Sequence, residues 1–224
     1  MPTRLFFIHT VSGLHGMFND LCAKHVRDFK TTHISDESLI QRALAAGGLT
    51  PVLYRRVCDH VAAAEEAGAE FVQLTCSSVS PCVDVARLMV AVPVLKIDEP
   101  VALQAVSQYR RIGVIATANS TLAPSAGLVK QVAAAAGRTV EVASVLCGGA
   151  NDAWFRGDMA THDRIVTEHL RELMGRVEVI ILAQASMARV AGAMSESEKT
   201  VPILSSPEPA VQHLARLVEA KQKG

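Results

Sequence analysis

The chain has 224 residues, half of them hydrophobic and a fifth charged, so we expect a packed globular protein and not a disordered one. Lys plus Arg and Asp plus Glu both number 22, and the formal net charge of zero gives no global support for binding nucleic acid or an acidic membrane. No apolar run reaches the roughly 20 residues that cross a bilayer, and the first residues lack the apolar stretch of a signal peptide. We therefore expect a cytoplasmic protein with no nucleic-acid partner and no membrane partner.

Short apolar, β-branched runs alternate with Ala-rich amphipathic stretches along the whole chain. The predicted strands, in chain order, are 5–8, 71–75, 92–95, 112–116, 140–145, 179–183 and 202–204. The predicted helices are 13–28, 37–46, 50–67, 82–90, 100–108, 125–136, 162–171 and 208–219. Strands that are apolar throughout are buried on both faces, and their alternation with helices indicates βαβ units. The fold class is therefore predicted to be α/β with mostly parallel sheet.

A weak internal repeat runs through the chain with a nearly constant offset. Residues 4–10 match 111–117 at an offset of 107 (residue 111 against residue 4), residues 70–78 match 178–186 at 108 (178 against 70), and residues 92–95 match 201–204 at 109 (201 against 92). A period near 108 residues is far too long for a solenoid. The repeat predicts two similar Rossmann-like lobes.

Small polar residues follow the predicted strands in both halves. Ligands of parallel α/β proteins gather at the carboxyl ends of strands, so we expect a cleft between the lobes that these residues line. The candidate residues are His9, Thr10, Ser12, Thr75, Cys76, Ser77, Ser78, Thr117, Asn119, Ser120, Thr121, Gln184, Ala185 and Ser186. For the stretch 117–121, ordinary strand-to-helix capping is the alternative to ligand binding.

Cys76 is the leading candidate for chemistry among the five cysteines. It follows an apolar strand and precedes Ser77, Ser78 and a predicted helix start near Ser80-Pro81. The positive end of a helix favours a thiolate, and its free N–H groups can hold a substrate carboxylate. The alternative is a buried structural cysteine. Three other cysteines, Cys22, Cys58 and Cys82, fall on predicted helices and are expected to be core thiols. The fifth, Cys147, precedes a Gly-Gly loop that could approach the cleft.

No metal and no cofactor are expected from the motifs present. The cysteines include no Cys-x-x-Cys pair, and His15, His25 and His33 lack a usual zinc spacing. His162-Asp163 is better explained as a helix start than as a metal site. No Gly-x-Gly-x-x-Gly follows the first strand, and no Gly-x-x-x-x-Gly-Lys occurs, so a bound nucleotide is unsupported.

Residues 75–78 resemble the first cysteine motif, commonly Ala-Cys-Asn-Thr, of the aspartate/glutamate racemase superfamily. Residues 182–187 stand where its second motif, commonly Gly-Cys-Thr, falls, and Gly157-Asp158 and His162-Asp163 are similar to one of its branches. The resemblance implies a cofactor-independent racemase or isomerase with two pseudo-symmetric lobes and a cysteine on each face of the substrate carbon. It also implies a homodimer or higher homo-oligomer, with residues 1–97 and 206–224 in lobe one and residues 98–205 in lobe two.

Two positions depart from the pattern of that superfamily. Gln184 stands at the second cysteine, and His9-Thr10 stand where the superfamily has Asp-Ser, whose acidic residue helps amino-acid racemases handle the substrate amine. Inversion of a carbon next to a carboxylate needs a base on one face and an acid on the other. Here His9, or a water held by Gln184, would supply the second proton. The alternatives are a merely structural histidine and an inert glutamine.

Three hypotheses follow for the function. The first is a racemase or isomerase that acts beside a carboxylate of a small organic or amino acid, with Cys76 as acid/base or nucleophile. The second is a decarboxylase or lyase with a single cysteine. The third is a non-catalytic sensor that binds a small acid.

Overall fold

The computed structural model describes residues 1–223, except for the side chain of Ala185. The chain divides into two compact units, Met1–Pro100 with Pro207–Gly224 (unit 1) and Val101–Ser206 (unit 2). None of the helices in the described residues has the length and apolar character needed to span a membrane.

Unit 1 is built on a parallel sheet of four strands in the order β2-β1-β3-β4. Its strands are β1 (Thr3–His9), β2 (Phe29–Ser35), β3 (Phe71–Leu74) and β4 (Val94–Lys96). Its helices are α1 (His15–His25), α2 (Glu37–Ala46), α3 (Pro51–Glu66), a 3₁₀ helix (Ser77–Val79), α4 (Cys82–Ala86) and α10 (Pro207–Lys223). Helices pack on both faces of this sheet, which is why the middle of β1, residues 5–8, is a continuous apolar run.

Unit 2 repeats the plan with a parallel sheet of order β6-β5-β7-β8. Its strands are β5 (Arg111–Ala116), β6 (Glu141–Leu146), β7 (Val179–Leu182) and β8 (Ile203–Ser205). Its helices are α5 (Glu99–Gln108), which begins at the boundary with unit 1, α6 (Asn119–Ala135), α7 (Ala150–Phe155), α8 (Met159–Met174) and α9 (Ala185–Ala193). The prediction of two α/β lobes with parallel sheets is confirmed.

The strand registers of the two units are equivalent. Ile8 pairs with Leu74 in unit 1, and Ile115 pairs with Leu182 in unit 2. These pairs differ by the same offsets, 107 and 108 residues, that the sequence repeat shows (115 against 8, and 182 against 74). Counting two residues past β3 and β7 therefore places Cys76 and Gln184 at equivalent positions.

Side chains alternate between the two apolar layers that cover the sheet of unit 1. Phe6 and Ile8 point into a cluster shared with α2 and α3, whereas Leu5 and Phe7 pack with Phe18 of α1 and with α10. Each layer contributes stabilisation in proportion to its buried area, about 25 cal/mol per Å² of apolar surface. Burial on both faces also fixes the register, because a slip of one residue would exchange the two layers.

Strand β2 is absent from the sequence prediction, which placed no element between the helix 13–28 and the helix 37–46. Its residues alternate between partly buried and exposed positions, because β2 forms an edge of the sheet. Strand and helix signals are weak in such a segment, since Lys, Thr and His outnumber its apolar residues.

Several helices also differ from the prediction. Helices α7 and α9 were not predicted, and α6 begins at Asn119 instead of residue 125 and continues through Pro124. Proline in a helix interior removes one backbone hydrogen bond, and α6 accommodates Pro124 within its second turn. Helix α4 ends at Ala86, short of residue 90, and turns follow it.

Gly113 lies in β5 where no side chain fits. A Cβ there would approach Cδ2 of Leu173 to 2.8 Å and Cγ2 of Val177 to 3.2 Å. We expect Gly113→Ala to lower the free energy of unfolding by about 1–3 kcal/mol because of this overpacking, measured by urea denaturation. The matched control is Gly127→Ala in α6, where a Cβ meets open space and should stabilise the helix by up to about 1 kcal/mol. Equal effects of the two variants would contradict the packing argument.

Asp36 is the N-cap of α2 and the centre of a small polar network. Its Oδ1 accepts hydrogen bonds from Ser38 N at 3.1 Å and Ser38 Oγ at 2.6 Å, while Oδ2 accepts from Arg56 Nη2 at 2.6 Å and His60 Nε2 at 2.9 Å. Burial by itself would raise the pKa of Asp36. The hydrogen bonds from Ser38 and His60 and the charge of Arg56 outweigh burial and lower that pKa to about 2.

The depressed pKa makes the Asp36 carboxylate a source of stability above its ordinary pKa of 3.8. We expect Asp36→Asn to lower the free energy of unfolding by about 1–2 kcal/mol at neutral pH. This difference from the wild type should shrink as the pH falls from about 4 towards 2, because the wild-type carboxylate then becomes protonated. Thermal unfolding across that range measures it, with Asp20→Asn on the exposed side of α1 as control. A difference that does not change with pH would contradict this assignment.

Candidate functional site

The carboxyl edge of the unit 1 sheet brings His9 and Thr75 together. His9 ends β1 and Thr75 follows β3, and these strands are neighbours. Nδ1 of His9 lies 2.9 Å from Oγ1 of Thr75, and both residues are buried. The hydrogen bond joins the two strand ends and so holds the backbone from which Cys76 emerges.

Cys76 is partly exposed, whereas the other four cysteines are buried. Burial raises the pKa of the Cys58 thiol, and it raises the pKa values of Cys22, Cys82 and Cys147 to about 12. All five cysteines lie in the described part of the chain, so Cys76 is the accessible thiol among them. Its neighbours Ser77 and Ser78 are buried.

The helix predicted after Cys76 begins at Cys82 as expected but is shorter than predicted. Cys76 is the N-cap of the three-residue 3₁₀ helix, and Pro81 is the N-cap of α4, which has five residues. Pro81 therefore precedes the helix and does not lie in its first turn. Because so few peptide dipoles are aligned here, the helix end gives little support to a thiolate at Cys76.

Asp98 is a buried acid close to this edge that sequence reasoning did not select. It lies two residues beyond β4, and its Oδ1 accepts a hydrogen bond from Ser80 Oγ at 2.7 Å. Its Oδ2 has no hydrogen-bond partner among the described residues. Burial raises the pKa of Asp98, against the opposing hydrogen bond from Ser80. Its sequence signal, a polar residue just after an apolar strand, is the one that selected Thr75 and Cys76.

The first loop of unit 1 holds the two remaining candidates of that unit. Thr10 is buried, and its Oγ1 has no hydrogen-bond partner within residues 1–223. Ser12 is exposed, and its backbone N donates to Glu37 Oε1 at 3.0 Å. Its hydroxyl also donates to that carboxylate oxygen, so the Ser12 side chain is held by α2.

His9 is also hydrogen-bonded to a second histidine, His33. Nε2 of His9 lies 2.9 Å from Nδ1 of His33, and Nε2 of His33 lies 3.0 Å from Oδ1 of Asn19. An amide oxygen only accepts, so Nε2 of His33 donates to Asn19 and Nδ1 of His33 accepts from His9. Nδ1 of His9 then accepts from the hydroxyl of Thr75. Every hydrogen bond in the series from Thr75 to Asn19 therefore forms with both histidine rings neutral.

Burial, with the neighbouring His33 and His15, lowers the pKa of His9 to about 3. Burial and His15 lower the pKa of His33 too. His9 is therefore neutral at physiological pH, and both of its ring nitrogens are engaged in hydrogen bonds. These features indicate a structural role for His9 and not an acid/base role.

Unit 2 joins its equivalent strand ends through Gln184. Oε1 of Gln184 accepts hydrogen bonds from Thr117 N at 2.6 Å and from Thr117 Oγ1 at 2.9 Å. Thr117 follows β5 and Gln184 is the N-cap of α9, so the amide ties two neighbouring strands together. The sequence left open whether Gln184 is a ligand donor or an inert replacement. The structure shows that its side-chain oxygen is bonded to Thr117 and so has a structural role.

The other candidates of unit 2 lie in the first turns of helices. Asn119 is exposed at the start of α6, whereas Ser120 and Thr121 are buried. Oγ of Ser120 has no hydrogen-bond partner in the part of the chain that the structure describes. Ser186 is partly buried in α9, and the side chain of Ala185 lies outside the described residues. The predicted ligand-holding loop at 117–121 is therefore mostly the beginning of a helix.

Asp158 and not His162 caps helix α8. The Asp158 side chain accepts a hydrogen bond from Thr161 N at 3.0 Å. His162 is buried one turn further on, with its Nδ1 2.9 Å from Oδ1 of Asp163. The dipeptide His162-Asp163 thus belongs to the first turns of a helix.

Solved structures of racemases share this fold. Glutamate racemase from Francisella tularensis, in complex with D-glutamate, is 14% identical with a TM-score of 0.76, and the match covers 99% of this chain and 82% of that one. Allantoin racemase from Klebsiella pneumoniae is 19% identical with a TM-score of 0.65, covering 98% and 89%. Aspartate racemase from Picrophilus torridus is 11% identical with a TM-score of 0.71, covering 97% and 94%.

No curated protein matches the chain. A protein-family model does match its sequence. The model described as Asp/Glu/Hydantoin racemase matches residues 18–214, which is most of the chain. The chain therefore belongs to the Asp/Glu/hydantoin racemase family and is a racemase-type, isomerase-class enzyme.

Proposed function

We propose that this enzyme moves a proton at the carbon next to a carboxylate of a small acid, with the Cys76 thiol as acid/base. The observation that carries the proposal is the place of Cys76. Of the five cysteines it is the partly exposed one. It follows Thr75 at the end of β3, and Thr75 is held in place by its hydrogen bond with the buried His9. A thiol can take and return a proton itself, so the proposed step needs no cofactor.

Removal of the proton next to a carboxylate leaves enediolate-like charge that donors must stabilise. Hydroxyl groups of Ser77, Ser78 and Thr10 accompany Cys76 at the carboxyl edge of the unit 1 sheet. The hydroxyl of Thr10 has no hydrogen-bond partner among the described residues, so it can donate to a bound anion. Donors placed in advance in a buried environment stabilise such charge more than water does.

His9 bears on the choice of substrate. Its ring is neutral and hydrogen-bonded on both nitrogens, so it offers no negative charge to a substrate ammonium group. We propose that the substrate is a small carboxylic acid that does not rely on an amine for recognition. Within this proposal His9 is a positioning residue that acts through Thr75, and a water supplies the second proton of a racemisation.

A decarboxylase or lyase reaction is the second candidate, and Gln184 is the observation that favours it. Gln184 occupies the position equivalent to Cys76, and its amide has no proton to exchange near neutral pH. Its oxygen is already engaged by Thr117. Loss of carbon dioxide followed by protonation on one face needs a single acid, which Cys76 would provide.

Exchange in deuterated water tests both reactions. The wild type would be incubated with a chiral 2-substituted carboxylic acid without an amino group and with a 2-substituted malonate, and D-glutamate, L-aspartate and allantoin would serve as comparisons. The reactions would be followed by NMR, optical rotation and release of carbon dioxide. Deuterium at the reacting carbon with loss of optical rotation indicates racemisation, whereas carbon dioxide release indicates the second candidate. We expect Cys76→Ser to lower the rate by about 10²–10⁴-fold, because it removes the acid/base group.

The control for that experiment is Cys58→Ala, which removes a buried thiol of α3. It should retain the activity in proportion to its folded fraction, which circular dichroism measures. Full activity of Cys76→Ser on a substrate that the wild type turns over would overturn the assignment of Cys76.

Thiol alkylation distinguishes the enzyme from a sensor that merely binds a small acid. We expect iodoacetamide at neutral pH to modify Cys76 at least about tenfold faster than the four buried cysteines, because the thiolate must be both formed and accessible. Peptide mass mapping against time measures the order of reaction. The fast phase should vanish in Cys76→Ser. Uniformly slow modification of all five thiols would favour the sensor.

A further inference from the structure

Three histidines of unit 1 converge at one place, and the proposed proton transfer uses only His9 among them, as a positioning residue. His33 pairs with Phe7 in the register of β1 and β2, and His9 lies two residues beyond Phe7, so His9 and His33 share one face of the sheet. His15 begins α1, which packs over that face. One ring nitrogen from each histidine lies within 4.8 Å of the others.

Each of the three rings has one nitrogen bonded to a residue outside the cluster. Nδ1 of His9 is bound to Thr75 Oγ1, Nε2 of His33 to Asn19 Oδ1 at 3.0 Å, and Nε2 of His15 to Ser35 Oγ at 2.8 Å. Nε2 of His9 and Nδ1 of His33 are bonded to each other, so an ion would replace that hydrogen bond, with the second nitrogen of His15 as the third ligand. Metal-binding histidines are held in this way, with the second nitrogen donating to an oxygen of the protein.

We propose that His9, His15 and His33 form a binding site for a divalent late transition-metal ion, with Zn²⁺ as the reference ion. Imidazole donors suit zinc, nickel and copper, whereas calcium and magnesium require oxygen ligands. Three histidines around zinc leave a fourth position for water or for an anionic ligand such as a carboxylate.

The geometry needs modest adjustment to accept the ion. Zinc–nitrogen distances of about 2.0–2.1 Å in a tetrahedral site place two donor nitrogens about 3.3 Å apart. Nε2 of His9 and Nδ1 of His33 are now 2.9 Å apart, so the rings must separate slightly. The ring of His15 stacks on His33 at 4.5 Å with an interplanar angle of 18°, and it must rotate to aim its nitrogen at the ion. His15 is exposed, so the side of its ring that faces solvent leaves room for this rotation.

The proton on His9 can be accommodated without leaving the site. Binding at Nε2 of His9 transfers the ring proton to Nδ1, which then donates to Thr75 Oγ1. The hydroxyl of Thr75 turns to donate to the carbonyl oxygen of Ile8, which lies 3.1 Å away. Thr75 therefore supports either tautomer of His9, and both states leave its hydroxyl satisfied. Nε2 of His33 keeps its bond to Asn19.

Calorimetric titration with Zn²⁺ alone tests the site on the full chain after treatment with a chelator. We expect one ion per chain, and a loss of affinity of at least about tenfold in His33→Gln. Asn19→Ala retains all three imidazoles but removes the outer partner of His33, and should weaken binding by about 10–100-fold. His169→Gln removes a histidine of α8 in unit 2 and is the matched control, with unchanged affinity expected.

Thiolates also bind zinc, so the variant Cys76→Ser tests whether the ion binds at Cys76 instead of at the three histidines. It should keep the wild-type affinity, and circular dichroism checks the fold of every variant. Absence of stoichiometric binding would overturn the proposal, and so would equal affinity in wild type, His33→Gln and Asn19→Ala. The titration contains no substrate, so its result is independent of the proposed reaction at Cys76.

Discussion

The pairing of β1 with β3, and of β5 with β7, is the constraint on which the functional positions depend. Both pairs are parallel and buried on both faces, so their registers cannot slip without exchanging the two apolar layers. Each register brings polar residues to the same edge of its sheet. A side-chain hydrogen bond then joins the strand ends, from His9 to Thr75 in unit 1 and from Thr117 to Gln184 in unit 2.

The two units share a backbone plan but differ in the chemistry at equivalent positions. Unit 1 presents a thiol at Cys76, where unit 2 presents the amide of Gln184. A thiol gains and loses a proton, whereas an amide oxygen can only accept hydrogen bonds. The common strand order and register match the internal repeat of the sequence. The difference between a thiol and an amide accounts for a proposed reaction with acid/base chemistry concentrated in one unit.

The histidine cluster shows how one side chain can serve two arrangements. His9 links the edge that carries Cys76 with His33 on β2, and Thr75 offers its hydroxyl to either His9 or the Ile8 carbonyl. The cluster rests on a packed face that includes Phe7 and Phe18. Its two inner rings are therefore fixed by the core, while His15 lies at the surface, where an ion could enter.

The sequence by itself determined the α/β class, the duplication and the candidate strand ends. Apolar runs and polar residues just after them are local signals, and they located Thr75, Cys76, Thr117 and Gln184. The family resemblance added the expectation of a racemase, which the family match bears out. The edge strand β2 gave no such signal, because half-exposed polar residues satisfy neither a strand nor a helix pattern.

Only the tertiary structure decided which side chains meet. Residues 9, 15 and 33 have no zinc spacing along the chain, yet the pairing of β1 with β2 and the packing of α1 bring them together. The same holds for Asp98, whose burial follows from the turn after β4. Contacts between residues distant in sequence depend on strand order and register, and these are set by burial of the whole sheet and not by any local run of residues.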